Sequence, residues 1–113
     1  MKFVNSSYKK EDVVFLLQDV RGKVPELDTK EREELNQKGV HYSEMLPIEY
    51  VPTDDYMKIY KESLNNLSFE TANAVSILSE KIWKQKGKDV TLVSLGRAGT
   101  PIGILIKRYL KYK

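Results

Sequence analysis

The chain has no cysteine, a single histidine (His41) and a single tryptophan (Trp83). The first absence removes disulfides and thiolate chemistry from these residues. The scarcity of both cysteine and histidine also disfavours a zinc-type metal site, and none is expected. No apolar run approaches the ~20 residues that a membrane-spanning helix needs, so no membrane partner is expected. Met1–Ser7 has no signal-peptide hydrophobic region, and the expected compartment is the cytoplasm. Acids are scarce at one end. Residues 80–113 hold 2 Asp+Glu against 9 Lys+Arg, a net of +7, whereas residues 1–79 hold 14 against 10, a net of −4. The basic end suits an anionic phosphate ligand. A solvated lysine-rich helix surface explains it equally well.

What is present is ordinary for a globular chain: 113 residues, 41% hydrophobic and 31% charged. That length supports one domain at most. Residues 1–52 read as a helical and loop extension, 53–87 as a long helix, and 88–113 as a strand, a turn and a helix. In the first part, Val13, Val14, Leu16 and Leu17 predict a helix from Lys9 to about Val20, with Glu11 and Asp12 in its first turn. Asp28-Thr29-Lys30-Glu31 has capping-box spacing and predicts a second helix that stops at Gly39. Gly39 to Pro52 reads as a loop, with Ile48 and Tyr50 as a candidate edge strand. His41, Tyr42 and Glu44 make this loop chemically varied, but His41, Ser43 and Glu44 do not have the arrangement of a hydrolase triad. Thr53 caps a long helix whose apolar positions, from Tyr56 through Ile59, Tyr60, Leu64, Leu67, Val75 and Leu78 to Ile82, recur in steps of three and four. A kink near Asn65–Ser68 is the alternative.

The most informative stretch is Asp89–Leu110. Aliphatic residues at 90, 92, 93 and 95 predict a buried parallel strand. Gly96-Arg97-Ala98-Gly99-Thr100 predicts a tight turn, in which Gly96 and Gly99 would allow positive φ. Pro101 sits in the first turn of the following helix, where its missing N–H costs nothing. One strand cannot form a sheet, so further strands are expected from a missing C-terminal half or from a second chain, as a homo-oligomer.

Thr91–Gly103 resembles the first strand and pyrophosphate loop of type I phosphoribosyltransferases, through its Arg-Ala-Gly-x-Pro core. Together with Ser7–Val13 and His41–Tyr50, the stretch Val93–Leu110 resembles the N-terminal region of a bacterial phosphoribosyltransferase-like family. That family is found with tellurite-resistance and stress-response operons, and some of its members are labelled cysteine proteases. The resemblance implies an incomplete α/β fold: a mainly helical N-terminal region, then the first strand–loop–helix unit of a phosphoribosyltransferase-like parallel sheet. It implies that Gly96, Arg97, Ala98, Gly99 and Thr100 bind pyrophosphate. It also implies Mg²⁺ with phosphoribosyl pyrophosphate as cofactor, and makes His41, Tyr42 and Glu44 a candidate substrate-side loop. The paired acids that hold the ribose in such enzymes are absent, so the chain is expected to be inactive alone, and no residue is assigned to catalysis. A protease of the thiol type would have no nucleophile here. The rival reading is a non-enzymatic interaction module with a basic surface. Nucleic acid is a poor partner for it, because few aromatics interleave the basic residues.

Overall fold

The computed structural model describes residues 6–20 and 22–113. Residues 10–12 form a single turn, in which the Asp12 amide donates to the Lys9 carbonyl at 3.0 Å. The segment then runs on without helix to Val20. The helix predicted over Lys9–Val20 is therefore corrected. Its apolar residues lack a surface to cover, since Val14, Leu16 and Leu17 are 60–77% exposed. Without burial, a short amphipathic helix does not repay its nucleation cost.

A two-residue strand β1 (Glu26–Leu27) leads into helix α1 (Thr29–Gln37). The capping box forms as the spacing predicts. Asp28 Oδ1 accepts from the Glu31 amide at 2.8 Å, and Glu31 Oε2 accepts from the Asp28 amide at 3.2 Å. At the other end Gly39 takes φ 91°. Val40 N–H donates to Leu35 O and Gly39 N–H to Asn36 O, the paired bonds of a Schellman stop. A 3-10 turn (Tyr42–Glu44) follows, then strand β2 (Leu46–Pro47), which pairs parallel with β1 in the register Glu26–Leu46 and Leu27–Pro47. The extended pairing thus falls just before the expected edge strand at Ile48–Tyr50. Met45, 4% exposed, is buried beside it.

Helix α2 (Asp54–Lys86) is one continuous helix of 33 residues, capped by Thr53 Oγ1 on the Tyr56 amide. No residue from 54 to 74 is buried, although Tyr56, Ile59, Tyr60, Leu64 and Leu67 form an apolar stripe. Burial begins at Val75 and Ser79, where α2 meets helix α3 (Gly99–Leu110). On α3 the buried residues are Thr100, Ile104 and Ile106. Thr100 and Ile104 are one turn apart and share a face. Ile106 lies about 200° round from Ile104, so α3 is covered on two sides.

Residues 88–95 pair with no strand among the described residues. The strand predicted from Val90 to Leu95 is corrected to an unpaired segment lying against α3. A strand exists through its ladder, and the described residues offer none.

The chain is open for its size. Its radius of gyration is 18.1 Å, against about 13 Å for a compact domain of this length. Its accessible surface is 10174 Å², against about 6,400 Å² for a compact monomer of this mass. No helix among the described residues is long and apolar enough to cross a membrane.

Candidate functional site

The turn between the unpaired segment and α3 departs from its expected geometry. Among the described residues Arg97, at φ 61°, is the one non-glycine with positive φ, while Gly96 and Gly99 have none. A left-handed conformation costs a side-chain-bearing residue roughly 1–2 kcal/mol. The expectation that the glycines carry this conformation is corrected. A Cβ on Gly99 would meet Ser94 Cβ at 3.8 Å, an ordinary van der Waals contact, so neither backbone angle nor space demands glycine there. Thr100, 6% exposed, is buried, and its amide donates to the Arg97 carbonyl at 3.1 Å. Arg97 and Ala98 are exposed, and Ala98 gives α3 no side-chain cap. Arg97→Gly is expected to raise thermal stability by up to about 1 kcal/mol, read by denaturant melt, because glycine relieves the strained φ.

His41 caps the 3-10 turn. Its Nδ1 accepts the Ser43 amide at 3.3 Å and lies 2.8 Å from Ser43 Oγ. The backbone N–H can only donate, so in the neutral ring the proton sits on Nε2. The His41 and Tyr42 rings form a tilted pair, centroids 4.6 Å apart. Glu44 is exposed. No hydrogen bond, ion pair or ring contact among the described residues joins this turn to the turn at 96–100, so the two groups of candidate residues do not form one site. Among the described residues, no three His, Asp or Glu side chains converge on a metal position.

A third cluster went unrecognised in the sequence. Asp12 takes a bidentate ion pair from Arg108, with Nε to Oδ1 at 2.9 Å and Nη2 to Oδ2 at 2.5 Å. Beside it, the Lys107 ammonium donates to the carbonyls of Glu11 and Asp12. This clasp ties the N-terminal turn to the last turns of α3, across 96 residues of sequence. A cleft of about 470 Å³ opens next to it, reached by Lys9, Lys111 and Tyr112. The Tyr8 and Phe15 rings lie in a tilted pair, centroids 6.2 Å apart, within the same segment. Glu80 forms a second tie, accepting from Tyr109 Oη at 2.7 Å and from Lys113 Nζ at 2.5 Å. Arg108, one of the cations of the basic C-terminal end, is thus engaged in a tie between segments.

The clasp sets a pH dependence. The hydrogen bond from Arg108 holds the Asp12 carboxyl below its ordinary value of 3.8. A depressed carboxylate contributes stability above its unfolded value and loses it as pH falls through the folded one. Acidification below about pH 4 is thus expected to free the segment around Asp12 while α3 persists. The Tyr8 and Phe15 ring resonances report it: a shift that begins near neutral pH would exclude Asp12 as the cause. Glu80 is lowered by Lys113 and then Tyr109, so it titrates in the same acidic direction.

Residues 6–113 match the profile of a family described as "Tellurite-like stress resistance cysteine protease StiP". The chain belongs to the StiP family. A relative from Acinetobacter baylyi, named "Cysteine protease StiP", is 33% identical over 103 residues, 90% of this chain and 26% of the relative. The chain thus spans about a quarter of the length of that StiP protein. No solved structure matches. Tellurite resistance and stress response, implied by the resemblance, stand with the family. The phosphoribosyltransferase function is corrected: the StiP family is described by stress resistance and a protease label, not by base transfer. An Arg-Ala-Gly-x-Pro turn records how a segment enters a helix, and that geometry serves more than one chemistry.

Proposed function

We propose that this chain acts in resistance to tellurite-like stress as a cysteine-free part of a StiP-type protein, supplying frame and positioning and not the nucleophile. The observation that carries this reading is the match over residues 6–113 in a chain with no cysteine. Thiol proteolysis needs a thiolate and a base with a free lone pair aimed at it. The chain lacks the first. Its one imidazole has Nδ1 engaged by Ser43, which leaves Nε2 as a donor in the neutral ring.

Two measurements test this. The purified chain is expected to show no cleavage of casein or fluorogenic peptides; hydrolysis that survives purification to homogeneity would sink the non-nucleophilic role. In a bacterium deleted for its own StiP gene, a StiP protein carrying residues 6–113 in place of its matched region is expected to restore survival on tellurite. Survival no better than with empty vector, from a chimera that accumulates normally, would count against the stress-resistance reading.

A further inference from the structure

We infer that the segment Val90–Leu95 is an acceptor for an added β-strand, and that the strand comes from the region of StiP proteins outside the 103 matched residues. The inference rests on family membership and is independent of whether the chain confers tellurite resistance.

The segment is built for a sheet but has none. Val90, Thr91 and Val93 are β-branched, and all are at home on a pleated, half-buried surface. Its burial alternates from Val90 to Val93: Val90 and Leu92 are half-buried, Thr91 and Val93 exposed. Ser94 and Leu95 are both exposed, although Ser94 closely approaches Gly103 of α3. Period-two alternation is the signature of a strand with one packed face. Val93 and Leu95 are 91% and 87% exposed. No backbone hydrogen bond is formed by residues 90–95 among the described residues. A row of free N–H and C=O groups flanked by exposed aliphatic side chains is a template for strand addition.

The occupant follows from area and length. The chain exposes about 3,800 Å² more than a compact monomer of its mass. That excess exceeds the ~800 Å² per partner of a standard interface and also the roughly 1,000–2,500 Å² per partner of most obligate ones. The stripe Tyr56 to Leu67 on α2 adds a second uncovered apolar surface. The matched residues are 26% of the Acinetobacter baylyi relative, so about three quarters of such a protein stands ready to cover these faces. A second copy of this chain fits less well, because its own segment carries the same outward Val93 and Leu95 and would leave the α2 stripe bare.

The test is amide hydrogen exchange on the 113-residue chain, alone and co-expressed with the part of the Acinetobacter baylyi protein that lies outside the match. Alone, residues 90–95 are expected to exchange at close to unprotected rates. In the complex they are expected to slow by about 100-fold or more, with the α3 amides little changed. Val93→Pro, which removes one ladder donor, is expected to weaken the complex at least tenfold, and Val93→Thr, which keeps it, is expected to bind nearly as well. Three outcomes overturn the inference: no complex, a complex in which residues 90–95 exchange as fast as before, or protection that arises in the chain alone with rising concentration, which would make the partner a second copy.

Discussion

Ile104→Ala is expected to destabilise the chain by about 2–5 kcal/mol, the range for removing a buried branched aliphatic side chain. Ile104 is 6% exposed and lies one turn from Thr100, also 6% exposed, on α3. These two positions share a face, as do Val75 and Ser79, the only buried residues of α2. The described core is small: Met45, Val75, Ile104 and Ile106 are its buried hydrophobic members. A core with so few members has no redundancy, and total stabilities of ordinary domains are only about 5–15 kcal/mol. The loss is therefore expected to appear as outright detachment of α3, read by urea melts and by collapse of α3 amide protection. Phe69→Ala supplies the contrast. Phe69 is larger but 83% exposed on α2, so its removal is expected to cost less than about 0.5 kcal/mol. Equal costs for the two variants would show that the α2–α3 contact is not a core in solution.

The elements that the sequence makes legible are those whose cause is local. Asp28 and Glu31 are three residues apart, and their reciprocal bonds depend on nothing outside that turn. Thr53 and Gly39 act the same way, as does Gly87, which caps the end of α2 at φ 70° with its amide on the Trp83 carbonyl. Pro101 likewise marks the start of α3. The misreadings have distant causes. Around Asp12 the apolar spacing is helical, yet the segment is held in another shape by Arg108 and Lys107, which lie some 96 residues away. Val90–Leu95 reads as a buried strand because its composition is right for one, but a strand's hydrogen bonds belong to its neighbour, and no neighbour lies among the described residues. At the turn, glycine content gives the need for a positive φ without its address, and Arg97 takes it. Of the candidate site, contiguity of residues 96–100 is legible; the burial of Thr100 is not, since it depends on tertiary packing.

Gly103 sets how closely the unpaired segment approaches α3, and a double-mutant cycle with Ser94 is expected to expose it. A Cβ on Gly103 would lie 2.1 Å from Ser94 Oγ and 3.3 Å from Ser94 Cβ. By propensity alone, Gly103→Ala in the middle of a helix is worth about 1 kcal/mol of added stability. Packing opposes it. The Ser94 hydroxyl can rotate away, but the 3.3 Å approach between the two Cβ positions can be relieved only by moving the backbone of the segment, and overpacking of this kind costs about 1–3 kcal/mol. Set against the propensity gain, this leaves Gly103→Ala alone between neutral and about 2 kcal/mol destabilising. In a Ser94→Gly background both contacts vanish, and the same substitution is expected to stabilise by close to the full propensity value. Gly103→Leu, which no hydroxyl rotation can accommodate, is expected to drive residues 90–95 off the helix while α2 stays helical by circular dichroism. If Gly103→Ala stabilises equally with Ser94 and with glycine at 94, the segment does not rest on α3 in solution, and the orientation that turns Val93 and Leu95 outward loses its support as well.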